Sequence, residues 1–528
     1  MEKLAFEGPI VLAILDGVGI SNKTAGNAVH FARTPFLDYV STHYLNIPLQ
    51  ASGEAVGVAK GQIGNSEIGH NTIGSGQIVK QNAVRIQSAI DDGSIWQSGV
   101  WYNIIDLTTR NQGATLHFAG IFSDGGVHSD IHHLEAFIKK AYEQGVRKIR
   151  IHAVFDGRDV APQSEPKYIN EIEAFCHNFQ GADFKIASGA GRMAAVADRY
   201  ENDWNMVKKG WDMMVHGEAT YHFTSAGEGI AYLRNLHKDL QDQNIPPFVI
   251  DDANHQPIGK IQDGDVVVYF DFRADRAIEI TRAFTEDDFK AFDRGIRPKI
   301  YFAGLTEYDK DTHAPTNQLV PAFNIENTLS QYIGSRNFPS LAVSETVKFG
   351  HITYYFNGNS YKHNSQEDFL EIPSSKFPFE TRPWMKSAEI TDNVLAQLKK
   401  YRFVRINFPG GDMVGHTAKL QPTMIALEAI DVQLQRLAAM VDHLGGIMII
   451  TADHGNAEEL LDDAGNPKTA HTTNPVPCIF YDNTKNRQKY QSANLPDAGL
   501  ANIAATIVTL LGKNDYPSIW KSPLIITQ

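Results

Sequence analysis

Asp412 and His416 stand four residues apart, Asp453 and His454 are neighbours, and His471 lies in a polar loop just before a proline turn. On a helix, a spacing of four puts Asp412 and His416 on one face, where both can reach one ion. A carboxylate beside an imidazole at a strand end offers two different ligands from one turn. Asp16, which closes the first apolar run of the chain, adds another carboxylate. Oxygen and imidazole donors mixed in this way suit Mn2+ or Zn2+ better than a soft metal. One such histidine alone is more often a hydrogen-bonded loop residue; the combination points to a metal centre.

Ser66 sits in Gly64-Asn65-Ser66-Glu67-Ile68-Gly69-His70-Asn71. It can be read as a helix N-cap. It can equally be a nucleophile at a helix N-terminus, where backbone N–H groups favour phosphate and a divalent cation can activate the hydroxyl. The metal-ligand pattern favours the nucleophile. Arg158, Arg192, Arg199, Arg273, Arg276 and Lys348 fall in or near turns that follow apolar runs, in a chain that is acidic overall. Arginine presents a planar fork to carboxylate and phosphate, and Arg273 and Arg276, three apart, could clamp one anion. Asp159 and His128 lie beside these loops and could move a proton to or from a substrate hydroxyl.

The elements that must position these residues follow a repeated pattern. Apolar runs at 9–15, 116–122, 149–155, 184–188, 266–270, 404–408 and 446–450 each lead into a polar, glycine-containing turn or into Asp and Arg residues. Continuous rather than alternating apolar runs predict strands buried on both faces of a largely parallel sheet. Helical periodicity over 134–144 and 424–441 completes an α/β architecture. In such sheets ligands bind beyond the carboxyl ends of the strands, where these polar residues fall. A junction at 78–85 and a polar, aperiodic stretch at 305–315 delimit a central segment large enough to be a domain.

The 528 residues are 42% hydrophobic and 21% charged, with 48 Lys and Arg against 61 Asp and Glu and a formal net charge of −13. This argues against intrinsic disorder and against sequence-independent nucleic-acid binding. Two cysteines, Cys176 and Cys478, make no disulfide framework, as expected in a reducing compartment. The first residues lack a signal-peptide pattern, and no apolar run approaches the ~20 residues of a membrane span. The expectation is a soluble, cytoplasmic protein with no membrane or nucleic-acid partner.

Taken together, the motifs resemble those of the cofactor-independent phosphoglycerate mutases, within the alkaline phosphatase superfamily. The matching stretches are Leu15-Asp16-Gly17, 64–70, Asp124-Gly125-Gly126-Val127-His128-Ser129, Asp156-Gly157-Arg158-Asp159, 272–277, 412–417, 451–456 and 470–477, in the family's order. Strand-Asp-Gly and Asp-His-Gly also occur in phosphatases and sulfatases, whereas Asn-Ser-Glu-Ile-Gly-His, Gly-Val-His-Ser and Asp-Gly-Arg-Asp discriminate sharply. One departure is Asp130, where relatives commonly carry histidine.

The resemblance implies an alkaline-phosphatase-like metal-binding domain, residues 1–81 and 309–528, with a second α/β domain inserted at 82–308 for substrate binding and transfer. It implies two divalent ions, Mn2+ foremost with Zn2+, Co2+ or Mg2+ as alternatives. One would be held by Asp412, His416 and His471, the other by Asp16, Ser66, Asp453 and His454. His128, Arg158, Asp159, Arg192, Arg199, Arg273, Arg276 and Lys348 match the family's substrate-binding positions. The implied reaction interconverts 3-phosphoglycerate and 2-phosphoglycerate through phospho-Ser66, with Lys348 and Asp159 taking part and no need for 2,3-bisphosphoglycerate. Relatives imply a monomer acting on a small molecule. The alternatives are a metal-dependent phosphomonoesterase or a phosphopentomutase of the same superfamily.

Overall fold

The computed structural model describes residues 4, 6–110, 113–198, 201–309, 312–321, 325–362 and 364–527. The chain divides into two units, Met1–Gln81 with Asn324–Gln528, and Asn82–Phe323. The second unit runs past 308 because the stretch after strand Tyr301–Gly304 returns to it: Gly304 N donates to Asn317 O, and Leu319 N to Gly304 O, each at 3.0 Å.

In the first unit, seven strands lie in the order Glu367–Ile372, Ser340–Glu345, Phe403–Phe408, Ile10–Leu15, Ile447–Thr451, Cys478–Tyr481, Leu45–Asn46. The first five are mutually parallel and the last two join antiparallel. Every residue of Ile10–Leu15 is buried, as expected of a central strand covered on both faces. Helix Leu420–His443 packs beside this sheet and starts at Leu420 rather than 424. Pro422 falls in its first turn, where a missing N–H leaves no helical bond unmade.

Strand Phe403–Phe408 carries Arg405, fully buried against Glu367. The guanidinium donates to Glu367 Oε1 at 2.7 Å, Ile352 O at 2.8 Å and Asn357 Oδ1 at 3.1 Å, and lies over the Phe356 ring. Losing one partner of such a pair typically costs about 3–5 kcal/mol. The Ile352 contact ties the sheet to the π-helical turn His351–Tyr355, which continues the short helix Thr346–Gly350.

The second unit has its own seven-stranded sheet: Tyr221–Phe223, Phe248–Ile250, Asp183–Gly191, Lys148–Phe155, Leu116–Phe122, Val266–Tyr269, Tyr301–Gly304. All neighbours are parallel except Asp183–Gly191 with Phe248–Ile250. Helix Ile131–Glu143 begins before the apolar periodicity does because Asp130 caps it, its carboxylate accepting from His132 N at 2.9 Å. Asp130, the departure from the family pattern, is thus a capping residue.

Across this second sheet runs a buried polar chain. Ser188 Oγ lies 2.7 Å from His152 Nδ1, His152 Nε2 3.0 Å from His117 Nδ1, and His117 Nε2 3.2 Å from Asp265 Oδ2. One proton order satisfies every member: Ser188 donates to His152, His152 to His117 and His117 to the carboxylate. Burial lowers both imidazoles below the ordinary 6.5, and the neighbouring Arg150 lowers them further. The unfolded chain therefore binds protons that the fold refuses, so this stability is present above pH 6.5 and is lost progressively as pH falls below it. Denaturant midpoints measured from pH 7.5 to 5 are expected to fall below pH 6.5, and less steeply in His152→Gln. Equal slopes in the two proteins would show that the chain has no such role.

Candidate functional site

Strands Phe403–Phe408, Ile10–Leu15 and Ile447–Thr451 are adjacent and parallel, with Leu15 opposite Phe408 and Ile14 opposite Thr451. Their carboxyl ends therefore deliver Asp412, Asp16 and Asp453 to one place. Asp412 rides on the one-and-a-half-turn helix Gly410–Gly415. Gly17 turns the chain at φ +74°, and a Cβ there would stand 2.7 Å from the Asp412 Cα, so only glycine fits. The next strand outward, Ser340–Glu345, leads into the helix carrying Lys348.

Helix Ser66–Ser75 is capped by Asn65, whose side chain accepts from Ile68 N at 2.9 Å. The cap belongs to Asn65, and the Ser66 hydroxyl is left to point among the charged groups. Its Oγ lies 3.2 Å from Asp16 Oδ1 and 2.9 Å from His454 Nε2, and it receives a hydrogen bond from Lys348 Nζ. Lys348 Nζ also reaches Asp16 Oδ1 at 2.9 Å and Asp412 Oδ2 at 2.6 Å. Burial alone would lower the Lys348 pKa; the charges of Asp16, Asp412 and Asp453 outweigh it and hold the ammonium above its ordinary value.

His416 Nε2 and His471 Nε2 stand 3.1 Å apart, at 3.1 and 3.0 Å from the same Asp412 Oδ1. Their Nδ1 atoms are engaged by carbonyls, Thr469 O at 2.6 Å and Gly64 O at 2.9 Å. A ring that donates Nδ1–H leaves its Nε2 lone pair bare. Two bare lone pairs and a carboxylate oxygen facing one another repel unless a cation or a proton lies among them. Asp412 Oδ1 and Asp453 Oδ2 are moreover buried without a hydrogen-bond donor. Donor atoms of Asp412, His454 and His471 come within 4.8 Å of one another, as do those of Asp16, Asp453 and His454. The residues present fit two divalent cations.

The other expected residues gather at strand ends in the second unit. His128 follows Leu116–Phe122, Asp156, Arg158 and Asp159 follow Lys148–Phe155, Arg192 follows Asp183–Gly191, and Arg273 and Arg276 follow Val266–Tyr269. Arg192 organises them: one terminal nitrogen bonds Asp156 Oδ1 and, at 2.5 Å, Asp159 Oδ2, and the other lies 2.8 Å from His128 Nε2. Burial and the Arg192 charge push His128 down to about 3, so its Nε2 accepts from the guanidinium and its Nδ1 carries hydrogen towards Asp275, 3.5 Å away. Arg276 is buried and donates to Ala197 O at 2.5 Å. Arg158 and Arg273 are exposed, Arg273 lying 3.2 Å from Asp275 Oδ1. Arg199 lies outside the described residues.

Sequence reasoning passed over Asp156, Asp275 and Asn407 as site residues. Asn407 donates to Asp16 Oδ2 at 2.7 Å. Its signal was present: Arg405 and Asn407 interrupt an otherwise apolar strand at alternate positions, and so share one face.

Residues 8–515 match the model of the Metalloenzyme superfamily. A Leptospira interrogans protein named "Probable 2,3-bisphosphoglycerate-independent phosphoglycerate mutase" is 44% identical over 524 residues, 95% of each chain. The 2,3-bisphosphoglycerate-independent phosphoglycerate mutase of Trypanosoma brucei brucei is 41% identical over 98% of this chain and 97% of its own. Among solved structures, Leishmania mexicana phosphoglycerate mutase at low cobalt concentration superposes with a TM-score of 0.73 at 38% identity, covering 100% of this chain and 99% of that one. The strand-end carboxylates, the facing imidazoles and this near-full-length similarity agree: the chain belongs to the 2,3-bisphosphoglycerate-independent phosphoglycerate mutases of the Metalloenzyme superfamily.

Proposed function

We propose that this phosphoglycerate mutase interconverts 3-phosphoglycerate and 2-phosphoglycerate through a phosphoserine at Ser66, with glycerate retained between the two transfers. The observation that carries the reading is the Ser66 hydroxyl, set at the first turn of a helix against Lys348, Asp16 and His454. Asp412, His416 and His471 would hold one divalent ion, and Asp16, Ser66, Asp453 and His454 the other. When bound, the ions supply Lewis acidity, which acidifies a serine hydroxyl and offsets charge on phosphoryl oxygens. The mixed carboxylate and imidazole donors favour Mn2+, with Zn2+, Co2+ or Mg2+ as alternatives.

The protein's own groups perform the remaining work. Lys348 donates to Ser66 Oγ and so favours its anion, and the hydroxyl hydrogen has Asp16 Oδ1 as an acceptor. Ser66 Oγ forms the new bond to phosphorus as the bond to the substrate oxygen breaks, and Lys348 offsets charge on the transferring group. Asp159, a carboxylate beside Arg192, takes the proton from the neighbouring hydroxyl and passes it to the oxygen just released, and the deprotonated oxygen recovers the phosphoryl group from Ser66 as the Ser66 Oγ–phosphorus bond breaks. Arg192 holds the Asp159 carboxylate in place. Arg158, Arg192, Arg199, Arg273 and Arg276 provide charge for the glycerate carboxylate and phosphate. His128 offers a hydrogen bond in the same cluster. Retention of glycerate separates a mutase from a phosphatase, because water discharges phosphoserine once glycerate has left.

The same reading takes the protein as a cytoplasmic monomer that needs no 2,3-bisphosphoglycerate. Among the described residues, no helix is long and apolar enough to cross a membrane, and Cys176 and Cys478 are free and buried.

An enolase-coupled assay without 2,3-bisphosphoglycerate, with and without chelator, tests the reaction. Turnover is expected to vanish with chelator and to return with Mn2+. Ser66→Ala is expected to reduce kcat by at least about a thousandfold, as loss of a nucleophile does, and to give no phosphoenzyme from labelled substrate. Full labelling in that variant would refute the serine's role. Arg192→Ala is expected to raise phosphate release relative to isomer formation, read by inorganic phosphate and enolase assays run side by side. An unchanged ratio would remove Arg192 from the retention of glycerate.

A further inference from the structure

Asn407 is wholly buried on the strand face it shares with Arg405. Its Nδ2 has two acceptors, Asp16 Oδ2 at 2.7 Å and His70 Nε2 at 3.0 Å. The amide orientation is set by Asp16, whose carboxylate only accepts, while the Ser344 hydroxyl lies 3.2 Å from both Asn407 Oδ1 and the carbonyl oxygen of the same residue. An amide offers two hydrogens, and here both are committed. His70, also wholly buried, lies one turn along the helix from Ser66, and its Nδ1 is 2.9 Å from the Ser66 carbonyl oxygen. Since Nε2 accepts from Asn407, Nδ1 carries the ring hydrogen and gives it to that carbonyl. Asp453 Oδ2 is only 3.2 Å from the same Nδ1 yet has no donor of its own, because the hydrogen points at Ser66.

We propose that Asn407 and His70 are positioning residues that fix Asp16 and Ser66 relative to one another before any ion arrives. The inference rests on Asp16 and Ser66 being ligands of one of the two ions. Asp16 turns Oδ1 towards Lys348 and Ser66. A carboxylate rotates readily about its last torsion, and Asn407 stops that rotation by holding Oδ2. His70 carries the constraint onward from the strand to the backbone of the nucleophile. Sheet and helix are thus joined through two side chains, neither of which is a ligand: an amide nitrogen with both hydrogens engaged has no lone pair to offer, and both His70 nitrogens are in use. Groups that orient metal ligands in this way typically account for ~10–100-fold in metal affinity.

The test is calorimetric titration of the metal-free full-length protein with Mn2+ alone. Asn407→Leu removes both donors at similar size and leaves the Ser344 hydroxyl its 3.2 Å bond to the carbonyl of residue 407. One of the two Mn2+ sites is expected to weaken ~10–100-fold, with kcat falling and the KM for phosphoglycerate nearly unchanged. Asn407→Ala gives the same readout should the leucine variant not fold. His70→Leu is expected to weaken the same site, and His70→Asn, which keeps a donor where Nδ1 stood, to recover part of the loss. A purely structural role would lower the thermal midpoint of the metal-free protein and leave both affinities alone. Wild-type affinities in folded Asn407→Leu and His70→Leu overturn this proposal by itself, whereas a wild-type protein that binds no Mn2+ overturns it together with the dinuclear reading.

Discussion

The first unit is governed by concentrated negative charge that has been taken out of water. Just beyond the carboxyl ends of three adjacent parallel strands stand Asp16, Asp412 and Asp453, all buried. An unpaired buried carboxylate costs several kcal/mol, and like charges beside it add to that. Among the described residues, Lys348 is the ammonium brought against Asp16 and Asp412 together, within 2.9 Å of each. It does not engage Asp412 Oδ1 or Asp453 Oδ2, which are left facing imidazole nitrogens. The remaining demand for positive charge is the physical content of calling this a metal centre.

Other features of that unit serve this arrangement. Arg405, neutralised by Glu367, anchors the turn that continues the Lys348 helix, and so holds the ammonium from behind. Asn65 takes over the capping of the Ser66 helix and leaves the serine oxygen to the cluster. In the second unit the problem is inverted. The buried cation Arg192 is balanced by Asp156 and Asp159 and gives a further hydrogen to a neutral His128. A guanidinium held on both edges keeps its plane when an anion approaches, which is the advantage of a preformed fork.

Much of this was legible in the residues. Seven continuous apolar runs marked strands that the two sheets contain, and the turns after them carried the Asp, His and Arg that now cluster. The chemistry was legible because metal and phosphate ligands are polar residues at strand ends, a local signature. Side chains that act through another side chain leave a weaker trace. Asn407 looked like one polar residue in an apolar strand, and His70 like part of a motif without a stated duty. Ser66 read as the nucleophile only through the metal-ligand pattern elsewhere in the chain, because its own surroundings suit a cap equally well until the fold shows that Asn65 accepts from Ile68. Helix starts were misjudged at Ile131 and Leu420, since apolar periodicity does not register a capping Asp130 or a first-turn Pro422.

The strand order also bears on how the molecule comes into being. Ile10–Leu15 is the first strand made, yet both of its neighbours in the sheet, Phe403–Phe408 and Ile447–Thr451, come only after the whole of the second unit. Residues 82–323, by contrast, are contiguous and find all their sheet partners within themselves. On a ribosome the interrupting unit can therefore finish before the interrupted one begins to close. An apolar strand waits meanwhile with both edges bare, the state in which nascent chains most readily pair with the wrong neighbour. Closing a loop of several hundred residues adds little entropy beyond a loop half as long, but it delays the central pairing until synthesis is nearly complete.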